Sequence, residues 1–179
     1  KWILNEFTQE KLGPLAIGRN LQFGFFEYAG YTSWVKKGDE EILGTSSDNF
    51  KQRTNYWLSY SKPLLFSWHL MDYLGEDVID SILHDYYDEW KFRHPYPDDF
   101  FSYVKKYSDK DLSWYTEDVF YKTGIVDYGA SIVKEDVIFT NYGSLSIPFE
   151  VSFLLSDGQE FDRVWFDGVD RVYSMKLDS

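Results

Sequence analysis

The side chains that could do metal or acid–base chemistry in this 179-residue chain are three histidines and thirty Asp and Glu. His69, His84 and His94 do not share the spacing that turns two imidazoles toward one ion. His69 sits in an apolar stretch and is expected to be a hydrogen-bonded core residue. His84 stands beside Asp85 and Asp88, where a surface ion pair is expected, and His94 receives no role. The acidic run Asp77, Asp80, Asp85, Asp88 and Glu89 could supply the paired carboxylates of glycoside hydrolysis. Its spacings of three and four on one polar face describe a solvated helix better. There is no His-Glu-x-x-His, no Gly-x-Ser-x-Gly and no Gly-rich phosphate loop. With no cysteine, disulfides, thiolate metal sites and Cys nucleophiles are excluded, and a secreted or periplasmic location is expected.

The elements that must position these groups begin with a core. Seven Trp, 15 Tyr and 15 Phe predict one built largely from rings, some of which could line a cleft for peptide or sugar. A net charge of −12 without a basic run argues against phosphate-backbone binding, so no nucleic-acid partner is expected, and anionic membrane surfaces are disfavoured. No apolar run reaches the ~18 residues of a membrane-spanning helix.

The spacing predicts an α+β fold. Residues 1–124 read as a helical subdomain of about five to six helices, and 125–179 as a small antiparallel, sandwich-like β part with fewer strands than a complete sandwich. Lys1–Lys11 and Leu15–Tyr28 are the first two helix candidates, the second ending near Gly30. Residues 37–54 are polar and punctuated by Gly and Ser, so a loop is expected there. Asn55–Leu74 is apolar nearly all round, the pattern of a buried helix. Pro63 predicts that its regular part starts close to that residue, with Tyr60 at or just before the N-terminus. Gly75 can stop it. Glu76–Lys91 is amphipathic, with Val78, Ile79, Ile82, Leu83, Tyr86 and Trp90 on one face. Pro97 suits the first turn of a helix running to Tyr107, and Asp111 can cap a last helix, Leu112–Lys122. Beyond Gly124, short β-rich runs separated by Asn141-Tyr-Gly and Ser156-Asp-Gly predict about four strands.

The stretch from Ser59 to Tyr115 resembles the aminopeptidase N family of zinc peptidases, the gluzincins. It carries Tyr60-Ser61-Lys62 at a long buried helix, then Leu74-Gly75-Glu76 at a turn. Trp90-Lys91-Phe92-Arg93-His94-Pro95 closes an amphipathic helix, followed by Asp99-Phe100 and Asp111-Leu112-Ser113-Trp114. Each motif alone is weak; their order over about 60 residues is what is specific. GTSSDNF at 44–50 and FEVSFLLSDG at 149–158 extend the likeness to about residues 40–170. The resemblance implies peptide hydrolysis by zinc-activated water in an intact parent, with peptide as substrate. Tyr60 would stabilise the oxyanion of the transition state. It also implies that the zinc motif belongs to an upstream catalytic half, so the chain is expected to be an inactive piece holding no zinc of its own. Asn5-Glu6-Phe7 imitates a third-ligand stretch but lacks its glycine, and Glu6 is read as a surface residue. The other reading is a non-catalytic peptide- or glycan-binding or scaffold module, with Tyr56 or Trp57 as a cleft ring.

Overall fold

The computed structural model describes residues 25–51, 55–154 and 160–176. The candidate helix Lys1–Lys11, Glu6 and the Ser156-Asp-Gly turn lie outside the described residues, as do the side chains of Tyr56 and Trp57.

The fold is α+β: four α-helices and a π-helical turn, then five strands in two small antiparallel sheets, among the described residues. Helix α1 spans Phe25–Lys37. It runs through Gly30, contrary to the expected stop there, and ends at Gly38, whose φ of 72° is left-handed. The Gly38 amide donates to the Val35 carbonyl and the Asp39 amide to that of Trp34, so two terminal carbonyls are satisfied by a glycine-closed Schellman turn. Gly30 cannot end the helix because nothing after it supplies that geometry.

Helix α2 spans Asn55–Leu74 and includes Pro63 in its interior, which corrects the expected start. Proline contributes no N–H to the ladder and normally costs a helix about 3 kcal/mol. Here the burial of Leu58, Lys62, Phe66 and Leu70, at spacings of four, outweighs that cost. Gly75 (φ 94°) closes α2 with its amide on the Met71 carbonyl, as expected. Helix α3, Glu76–Trp90, turns Ile82 into the core with Val78, Ile79, Tyr86 and Trp90 beside it. Leu83, expected on that face, is exposed, because it lies at the margin of the apolar stripe. Helix α4 spans Pro97–Lys106, and the Asp99 carboxylate caps it by accepting the Tyr96 amide at 2.7 Å.

The last helical segment differs from the regular helix expected. Asp111 does cap its start, accepting the Ser113 amide at 2.9 Å, but Trp114–Val119 forms a π-helical turn. A turn that repeats after about five residues stacks Trp114 over Val119, and both are buried.

Strands β1 (Tyr128–Val133), β2 (Asp136–Asn141) and β5 (Val172–Lys176) form one sheet in the order β1-β2-β5. Strands β3 (Phe149–Leu154) and β4 (Glu160–Phe166) form the other. All pairs are antiparallel; Ala130 faces Phe139 in one register and Val151 faces Val164 in another. The fifth strand, β5, is one more than the sequence pattern predicts. The sheets meet through rings: Phe139 lies 5.0 Å from Phe166 and 5.4 Å from Phe149. The helical core is a separate cluster, yet it takes in Leu145 and Ile147 from the β2–β3 connection, with Trp165 of β4 packed against it. The β part therefore leans on the helices. Among the described residues no helix is long and apolar enough to cross a membrane.

Candidate functional site

Lys62 is the starting point, because an ammonium group has no place in an apolar helix without compensation. It is 0 % exposed. Its Nζ lies 2.7 Å from Glu40 Oε1 and donates to the Lys122 carbonyl at 3.0 Å. Glu40 comes from the polar stretch after α1. Its Oε2 accepts the Gly124 amide at 3.0 Å, and the Tyr31 hydroxyl faces the same carboxylate. Three segments are thus clamped on one buried ion pair, with Tyr31 of α1 beside it. Desolvation pushes the Lys62 pKa down while Glu40 pulls it back up; desolvation and then Glu40 push the Tyr31 hydroxyl up.

Tyr60 stands half a turn before Lys62 on α2 and is 51 % exposed. Its neighbours Leu58 and Lys62 are buried, so the ion pair fixes the roll of the helix that presents the Tyr60 ring to solvent.

A cleft of about 770 Å³ opens between α1, α2, the 124–128 segment and residues 147–149. Tyr28, Tyr31, Phe66, Tyr128 and Phe149 give it aromatic walls; Tyr60 is not among its lining residues. The Tyr128 hydroxyl donates to the Ile147 carbonyl and accepts the Ile147 amide, so that ring is held by both polar groups of one residue.

His69 lines the cleft floor. Its Nε2 is 2.6 Å from the Pro148 carbonyl, and its ring meets Trp114 and Trp165 edge-on at 5.5 Å each. It is the hydrogen-bonded core histidine expected. Desolvation lowers its pKa below the usual histidine value, against the opposing pull of Pro148 and Asp72. The unfolded chain therefore binds the proton more readily, and stability contributed by neutral His69 is present above about pH 6.5 and lost as pH falls toward the folded pKa. As pH falls below about 6.5 the unfolding free energy should fall, by at most about 1.4 kcal/mol per pH unit. His69→Gln should flatten that slope, as read by urea titrations at each pH.

His84 reaches Asp88 at 3.6 Å and Asp85 at 4.0 Å on the exposed face of α3, the surface pair anticipated; His94 is exposed. The acidic run does structural work that its spacing does not reveal. Asp85 accepts the Tyr107 hydroxyl and Glu89 accepts the Tyr103 hydroxyl, so two phenols tie α4 to α3. The Glu89 bond, followed by desolvation, pushes the Tyr103 hydroxyl up to about 12. The Tyr107 bond holds Asp85 below the usual carboxylate range.

No zinc site assembles among the described residues. The three histidines stand apart, and among the described residues no group of three His, Cys, Asp or Glu side chains converges. The described donor set does not fit a catalytic zinc, which needs three protein ligands and an open position. No family model, curated protein or solved structure matches this chain.

Proposed function

We propose that this chain supplies the tyrosine-bearing helical wall of an aminopeptidase-like zinc peptidase whose metal is held by a segment the sequence does not contain. By itself it hydrolyses no peptide. The reading starts from the ordered motifs between Ser59 and Tyr115. The observation that carries it is the exposure of Tyr60 on a helix that buries Leu58 and Lys62, two positions to either side, with Lys62 in an ion pair that fixes the helix roll. A phenol held that way can donate its proton to an oxygen on which charge develops only in the transition state. The chain's own contribution is orientation: Lys62 and Glu40 hold α2, and α2 holds Tyr60.

The purified chain should show neither aminopeptidase turnover nor stoichiometric zinc by elemental analysis. Joined to a His-Glu-x-x-His-bearing half, it should support turnover. Tyr60→Phe should then lower kcat by about 10²- to 10³-fold with zinc content unchanged. One tightly held zinc per isolated chain, or a Tyr60→Phe enzyme with undiminished kcat, would overturn the reading.

A further inference from the structure

Outside the Tyr60 wall, the aromatic cleft has three independent features that select one kind of occupant. Its rings expose apolar surface, and two of the three tyrosine hydroxyls are turned to the protein, Tyr128 bonded to Ile147 and Tyr31 facing Glu40. A ligand therefore meets apolar walls, and the volume of about 770 Å³ lies within the ~300–1,000 Å³ of small-molecule sites. Two opposite charges also line it, Lys36 of α1 and Asp127 of the 124–128 segment, and neither forms an ion pair with another described residue. Finally, the wall between Ile125 and Tyr128 carries spare main-chain capacity. The Ile125 and Asp127 carbonyls are taken by the amides of residues 142–145, whereas neither backbone group of Val126 bonds to another described residue.

We propose that this cleft binds a short peptide with an aromatic side chain, seated against the Tyr28–Phe66–Phe149 walls between Lys36 and Asp127. A hydrocarbon or acyl chain would leave both charges and the Val126 backbone groups unused. A sugar would find few side-chain hydrogen-bonding groups uncommitted. A peptide uses all three features: its ring fills the apolar volume, its main chain pairs with Val126, and its termini meet Asp127 and Lys36. The inference does not depend on zinc or on Tyr60.

The test is calorimetric titration of the intact chain with the tripeptide Ala-Phe-Ala, beside Ala-Gly-Ala and an acetylated, amidated Ala-Phe-Ala. Saturable one-to-one binding is expected. Removing the ring should weaken it about tenfold or more, and blocking both termini about fivefold or more. Asp127→Asn and Lys36→Gln should each weaken the free-ended peptide but leave the blocked one unchanged. Thr32→Trp, which fills the cleft from α1, should abolish binding while the thermal midpoint, read in parallel, stays at the wild-type value. Absence of saturable binding overturns the proposal. So does equal binding of Ala-Gly-Ala, or binding indifferent to all three substitutions in folded protein.

Discussion

Lys62→Met should cost about 3–5 kcal/mol of unfolding free energy at neutral pH, and adding Glu40→Gln should return at least half of it. The asymmetry follows from what each substitution leaves behind. Methionine fills the lysine stem's volume, so little packing is lost. The Glu40 side chain, only 5 % exposed, then keeps a charge with no cation beside it. The Gly124 amide still donates to it and the Tyr31 hydroxyl faces it, but neutral groups do not replace an ammonium group at 2.7 Å. Neutralising position 40 as well removes the stranded charge and keeps an amide oxygen for Gly124. Urea unfolding of the two single variants and the double variant gives the coupling energy directly. A loss below about 1 kcal/mol for Lys62→Met would mean that the carboxylate finds water when its partner goes. The clamp would then not fix the roll of α2.

That clamp also shows where sequence reasoning stops. Helices α3 and α4 are legible because each is amphipathic and bounded by Gly or Pro; their observed limits lie within a residue of the expected ones. The α+β division is legible from the change of composition after Gly124. The start of α2 is not, because burial on both sides of Pro63 overrides a local breaker, and this is decided by tertiary packing. Strand β5 escapes because it lies at a sheet edge, is mostly exposed, and lacks alternation between buried and solvated positions. Glu40 reads as a solvated loop residue: nothing in KKGDEEIL distinguishes it from Glu41, and its partner lies 22 positions away. The only local signal was Lys62 itself, a cation inside an apolar helix, which demands an anion from elsewhere. The cleft is less legible still, since its walls come from four separate stretches. The Tyr-x-Lys motif drew attention to Tyr60. The side chain it places in the interior is Lys62.

The second large effect is expected at Gly143, where substitution by Ala should cost about 3 kcal/mol or more. A Cβ there would sit 2.1 Å from the Ile125 carbonyl oxygen, 2.8 Å from the Asp127 nitrogen and 2.9 Å from the Ile125 carbonyl carbon. These are backbone atoms, so no rotamer change can relieve the clash. They cannot retreat easily either: the Ile125 carbonyl accepts the Ser144 and Leu145 amides, and the Asp127 carbonyl accepts the Tyr142 and Gly143 amides. The Asn141 side chain holds the other side of the turn, accepting the Gly143 amide through Oδ1 and donating to the Leu145 and Val169 carbonyls. Relief therefore requires pushing the 125–127 segment outward and breaking part of this ladder. Gly30→Ala is the matched control: its added methyl meets nothing within 4 Å in the middle of α1, and it should stabilise by about 0.5–1 kcal/mol. Thermal and urea unfolding of the two variants should move in opposite directions. Because the displaced segment is also a wall of the cleft, Gly143→Ala protein that still folds should bind Ala-Phe-Ala more weakly than Gly30→Ala protein. If alanine at 143 is tolerated within about 0.5 kcal/mol, the segment is free to shift. The close approach that builds this side of the cleft would then not be a fixed feature of the fold.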